Sequence, residues 1–248
     1  MSRLVVVSNR TADPRNAAAG GLAVAVRESL QQTGGLWFGW SGKFAEEGDG
    51  GTPRTSEPQV QTVGNVTLAT IDLSQRDYDT YYLGYANDVL WPVFHYRLDL
   101  ANFDVHFAAG YRRVNRLFAQ KLMPLLKPDD LIWVHDYHLI PLAAELRAMG
   151  CANRIGFFLH VPMPPPQIMA AVPEHEWLMH SLFAYDLVRP CSDEARQIAR
   201  TAPHSNSLES FAVAGVSPSR APKQRDSNRF ARIYENPFLL RFVGKFQR

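Results

Sequence analysis

The apolar positions of this chain fall into two kinds of run. Short unbroken runs at residues 4–7, 131–134 and 155–159 have the composition of strands buried on both faces of a parallel sheet. Longer stretches repeat at helical spacing. Residues 107–126 are the clearest case, with Val114, Leu117, Phe118, Leu122 and Leu125 on one side. Between the second and third short runs, Leu142, Leu146 and Met149 share a helical face and Gly150 follows as a stop signal. That pattern predicts a βαβ unit. Its first strand ends in His135-Asp136-Tyr137-His138 and its second in His160, just before Pro162. Strand carboxyl ends face the ligand crevice in open α/β sheets, so both clusters are expected to look into one cleft.

The flanking segments extend the pattern. Residues 4–7 form a first strand closed by Ser8-Asn9-Arg10, and Gly20-Gly21 precedes a helix over 22–30. A strand, a Gly-rich turn and a helix offer bare backbone N–H groups to a phosphate, and a nearby guanidinium can grip one bidentately. A plain tight turn with a solvated Arg10 stays equally open on these residues. Residues 34–42 predict an aromatic strand in which Trp37 and Trp40 cannot both share the face of Phe38. A polar, Gly-rich loop to Gly51 follows, then a hairpin of 60–63 and 66–73 about Gly64-Asn65. Ser74 reads as the N-cap of a helix running through Tyr81-Tyr82. Residues 90–96, Leu-Trp-Pro-Val-Phe-His-Tyr, read as a buried loop or turn because Pro92 lies inside them. Aromatic faces beside polar tips suit a sugar, and clustered aromatics equally make core. Helical turns are expected from Gln167, interrupted by Pro173, and again over 177–183, before a strand over 185–188. Residues 189–228, rich in Ser, Arg, Pro and Ala, read as linker.

Composition narrows the function classes. The 248 residues are 46% hydrophobic and 20% charged, as in ordinary globular proteins. A net charge of +2 gives no electrostatic case for nucleic-acid binding. Cys151 and Cys191 make no disulfide or metal signature. The first apolar run is too short for a signal peptide and no stretch reaches transmembrane length, so a cytoplasmic protein with no membrane partner is expected. His135, Asp136, His138 and His160 could ligate a metal, but they lack a standard zinc spacing. An Asp at a strand end, flanked by His and Tyr, better suits sugar hydroxyls, because one carboxylate accepts from two of them. Neither a nucleophile elbow nor a P-loop is present.

Six segments in order carry a resemblance: residues 4–10, 20–24, 35–42, 90–96, 132–138 and 154–162. Together they resemble the trehalose-6-phosphate synthase family, retaining glycosyltransferases of the two-domain GT-B architecture, and the likeness covers residues 1–188. The resemblance implies an α/β, Rossmann-like N-terminal domain with a mostly parallel sheet flanked by helices. It implies glucosyl transfer from UDP-glucose to glucose 6-phosphate, giving α,α-trehalose 6-phosphate and UDP, without metal or cofactor. By the same resemblance, Arg10 and Tyr82 would grip the acceptor phosphate, Asp136 would bond the acceptor sugar and Trp40 would wall that site. Gly20 and Gly21 would admit the donor diphosphate, His160 would contact the transferred glucose, and Trp91 and Val161 would select the acceptor anomer. Asp136 and His160 are thus the implied catalytic pair. The family's front-face mechanism asks for positioning and charge stabilisation more than for a protein base.

After residue 188 the chain departs from the family with Arg189-Pro190-Cys191-Ser192. A domain of residues 1–188 and a divergent tail of 189–248 are therefore expected, as in a truncated or frameshifted synthase of little activity alone. Two rival readings stand beside it. One is a non-catalytic sugar-phosphate-binding or regulatory subunit, paired with a full-length synthase or with itself. The other is a metal-dependent hydrolase built on the His/Asp cluster.

Overall fold

The computed structural model describes residues 2–12, 21–45 and 57–190. The chain opens with β1 (Leu4–Arg10), α1 (Gly21–Thr33), β2 (Gly35–Phe44), β3 (Gln59–Val63) and β4 (Val66–Leu73). A continuous helical arm follows: α2 (Gln75–Asp77), a π-helix over Tyr78–Leu90, and α3 (Trp91–Phe94). Next come α4 (Val105–Leu122), β5 (Leu131–His135), α5 (Leu142–Ala148), β6 (Arg154–Leu159), α6 (Pro166–Met169), α7 (His175–Ser181) and β7 (Leu187–Pro190).

The seven strands form one sheet in the order β3-β4-β2-β1-β5-β6-β7. Every neighbouring pair is parallel except β3 and β4, the antiparallel hairpin. Gly64 sits at the hairpin turn with φ +62°, a left-handed conformation in which a Cβ would be strained. From β1 the chain winds outward through β2 to β4, then returns to β5 and winds the other way. The boundary between β1 and β5 is therefore the topological switch point, where open α/β sheets bind ligands.

Alternation along the strands sends side chains to two cores. Val5, Val7, Phe38, Trp40, Ile132, Val134, Ile155 and Phe157 face the larger core, which also holds Tyr81, Tyr85, Tyr111 and Phe118 from the helices. Val6, Trp37, Leu68, Trp133 and Phe158 face the other side, with Val26 and Leu30 of α1 over them. Trp37 and Trp40 thus part company as the alternation predicts.

Two expectations need correction. Residues 90–94 are helical, the π-helix passing into α3 with Pro92 inside it, and only His95 and Tyr96 form the expected turn. The Asp88 carbonyl, which a helical N–H at position 92 would have used, accepts instead from Asn102 N at 2.9 Å, so the proline leaves no orphan. The last strand, Leu187–Pro190, starts two residues later than expected; just before it, Asp186 donates its N–H to Ile155 O (2.8 Å) and holds Ile155 N (2.7 Å) and Arg147 (2.8 Å) with its carboxylate. The expected loop to Gly51 and the tail from residue 191 lie largely or wholly outside the described residues. Among the described residues, no helix is long and apolar enough to cross a membrane.

Candidate active site

The carboxyl ends of β1, β2, β5 and β6 bring the predicted polar residues to one edge of the sheet. Arg10 ends β1 and Trp40 lies beside it on β2, with the guanidinium carbon 5.6 Å from the indole centroid. Gly42, at φ +86°, makes that placement possible: a Cβ there would fall 2.5–2.8 Å from the Arg10 guanidinium. The glycine holds a groove open, and the arginine fills it. Tyr81 donates its hydroxyl to Asn9 Oδ1 at 2.9 Å, tying the π-helix to the end of β1.

That tie matters because the π-helix supplies the aromatic wall. Tyr78 and Tyr82 stack at 5.3 Å, Tyr78 lies 5.4 Å from Trp40, and Tyr82 stacks on His138 at 5.6 Å. Arg10, Trp40, Tyr82 and the strand-end His138 thus form a continuous run of contacts, with Tyr78 and Gly42 as members the sequence reading missed. A π-helix is rare and often marks a functional site, because its widened turn re-aims side chains that an α-helix would scatter.

Asp136 is the pivot. It adopts φ +74°, a left-handed conformation that an L residue enters at a cost. Its amide donates to Phe158 O at 2.7 Å, while its Oδ1 accepts from Tyr137 N at 3.0 Å and from His160 N at 3.4 Å. Burial pushes its carboxyl up to about 6, against the pull of those two N–H groups and of His95. His160 meets His135 at 2.9 Å between Nε2 and Nδ1. Burial takes His160 down to about 4 and His138 to about 3, and holds His135 well below its usual range with help from His160. The site therefore presents neutral imidazoles and a carboxylate that titrates close to neutrality. The imidazoles, held neutral, are poor proton acceptors and better suited to positioning hydroxyls, while the carboxylate can accept a hydrogen bond from one.

Trp91 is exposed and stacks on His95 at 4.3 Å, nine residues along the helical arm from Tyr82. Val161 is half-buried against the larger core, next to His160. Gly20 lies outside the described residues, and Gly21 is the first residue of α1. Among the described residues, no three His, Cys, Asp or Glu side chains are placed to hold a metal ion together.

Comparison with known proteins fits this arrangement. The sequence matches the profile of Glycosyltransferase family 20 over residues 4–193. The chain belongs to glycosyltransferase family 20. A trehalose-6-phosphate synthase of Salmonella arizonae is 54% identical over 190 residues, 76% of this chain and 38% of the relative. Among solved structures, a UDP-forming synthase of Burkholderia xenovorans in complex with glucose-6-phosphate is 53% identical with a TM-score of 0.69, covering 75% of this chain and 39% of that one. A structure from E. coli bound with UDP-2-fluoro glucose is 47% identical with a TM-score of 0.72, covering 83% and 44%. This family 20 chain spans about two fifths of the length of the curated relatives it matches. Its sheet is the mostly parallel, Rossmann-like half of the GT-B architecture.

Proposed function

We propose that the cleft is the acceptor side of a UDP-glucose-dependent glucosyltransferase that makes α,α-trehalose 6-phosphate from glucose 6-phosphate. The observation that carries this reading is the grouping of Arg10, Trp40, Tyr82 and Asp136 along one wall at the switch point. A guanidinium seated on an indole supplies charge for a phosphate, the rings pack on sugar C–H faces, and the carboxylate accepts from hydroxyls. His160 and the Gly20-Gly21 turn take the donor side, and Trp91 with Val161 shapes the choice of acceptor anomer. The domain so assigned is residues 1–188 and the divergent tail is residues 189–248, with the last strand, Leu187–Pro190, reaching two residues across that boundary. A cytoplasmic setting belongs to the same reading, because both substrates are charged phosphates that do not cross a bilayer unaided.

Acceptor binding is the test suited to this chain. Calorimetric titration of the purified protein is expected to give saturable binding of glucose 6-phosphate, far weaker binding of glucose, and loss of the preference in Arg10→Ala. Equal binding of the two sugars, or an Arg10→Ala variant that keeps the preference, overturns the reading. Release of UDP from UDP-glucose and glucose 6-phosphate, abolished in Asp136→Ala, would extend it to turnover.

A further inference from the structure

His135 has no part in the acceptor wall, yet it is buried at 1% exposure and lies 4.2 Å from the Trp133 ring and 5.2 Å from that of His160. We propose that His135 is a positioning residue: its Nδ1–H donates to Nε2 of His160 and so fixes His160 as an Nδ1–H donor facing the cleft.

Two tautomer pairs compete for this contact, and burial eliminates one of them. The 2.9 Å contact joins His135 Nδ1 to His160 Nε2, so one nitrogen donates and the other accepts. A neutral imidazole carries a single N–H. If His160 donated, the proton of His135 would sit on its Nε2, which is buried and has no partner among the described residues. A buried N–H without an acceptor is costly, and such groups are rarer than buried acceptors lacking a donor. The reverse assignment leaves His135 Nε2 as a bare lone pair and removes the orphan donor. A cationic His160 restores the penalty, since it too would force a proton onto His135 Nε2. Burial, which lowers both rings, works in the same direction.

Two consecutive residues at the end of β5 therefore hold His160 from both sides. Asp136 accepts from its backbone N–H, and His135 fills the far nitrogen of its ring. What remains is Nδ1–H on a half-buried ring, a hydrogen-bond donor for a substrate oxygen and not a base. That the oxygen belongs to a transferred sugar rests on the reading above; the tautomer does not.

The test is a long-range proton–nitrogen correlation spectrum of the 15N-histidine-labelled chain at neutral pH. His160 is expected to show a protonated Nδ1 and a bare Nε2. In His135→Phe that signature should be lost toward Nε2–H, the form an unconstrained imidazole favours. His135→Asn, whose amide can donate from near the position of Nδ1, should restore it. A merely structural role would lower stability in both variants without this pattern of loss and rescue. A wild-type His160 protonated on Nε2, or a signature unchanged in His135→Phe, overturns the proposal. Should His135→Phe not fold, the wild-type spectrum and His135→Asn still decide. Because the measurement needs no substrate, its failure is separate from failure of glucose 6-phosphate binding.

Discussion

Two aspartates bracket β5, and they lead opposite lives. Asp130, just before the strand, is buried and takes Arg3 Nε at 3.0 Å, Arg3 Nη2 at 2.5 Å and Lys127 N at 2.7 Å. Asn153 locks the same corner by donating to Lys127 O and Asp130 O, and the Arg147–Asp186 pair closes the next one. Asp136, just after the strand, receives only backbone N–H groups, sits at positive φ and titrates near 6. Beside it, His135 Nε2 and His138 Nδ1 are buried without partners among the described residues. The amino end of the sheet is a closed network and the carboxyl end an open one. Residue type alone does not separate a structural charge from a functional one; the completeness of its hydrogen bonding does.

The sharpest way to break this contrast is to remove each carboxylate. Asp130→Ala is expected to cost about 2–3 kcal/mol in urea unfolding, below the range for a fully buried pair because Arg3 stays partly in water. Asp136→Asn should stay within about 1 kcal/mol of the parent, because no ion pair is lost. Equal losses would erase the distinction.

A second comparison sets Arg10 against Arg3. Arg10→Ala should weaken glucose 6-phosphate binding about 10- to 100-fold in titration, the worth of charge-assisted hydrogen bonds. Arg3→Ala should lower stability and leave the affinity unchanged.

The third lies in pH. Asp136 titrates higher folded, at about 6, than its ordinary 3.8, so its stabilising contribution is full below 3.8 and is lost as pH rises through 6. His160 titrates lower folded, at about 4, than its ordinary 6.5, so its contribution is full above 6.5 and is lost as pH falls through 4. Unfolding free energies measured from pH 4 to 6.5, taken as parent minus Asp136→Asn and parent minus His160→Gln, should slope in opposite directions. Each span is on the order of 1 kcal/mol after solvent screening. Parallel slopes would refute the burial of one group or the other.

The smallest effect belongs to Gly42→Ala. Its Cβ displaces the Arg10 guanidinium and meets an unfavourable φ, at about 1 kcal/mol of stability. Glucose 6-phosphate affinity should fall with it, and an unchanged affinity would show that Arg10 does not act from this groove.

Much of this was legible from the chain, for physical reasons. Unbroken apolar runs gave β1, β5 and β6, because parallel strands are buried on both faces. Alternation placed Trp40 with Phe38 and away from Trp37. It could also have paired His135 with His160: His135 registers with Phe158, and His160 shares the parity of Phe158. The π-helix was not legible as such, since Ser74 announces a helix without saying how wide its turns become. Pro92 was misleading, because the carbonyl it leaves without a helical donor finds Asn102 N, a partner that no local pattern announces. The positive φ of Asp136 and the groove at Gly42 arise from packing between strands, which no local pattern encodes.

The backbone of Asp136 also bears on selection. Glycine adopts φ +74° without the steric cost that an L side chain incurs, a difference of roughly 1 kcal/mol, and it carries no carboxyl to desolvate. Asp136→Gly would also strip the acceptor from Tyr137 N–H and His160 N–H, at about 1–3 kcal/mol for an orphaned buried donor, so relief of backbone strain alone gives no net gain. The same carboxylate that could meet a substrate hydroxyl thus offsets the strain of its own backbone, and a screen for thermal tolerance would retain it.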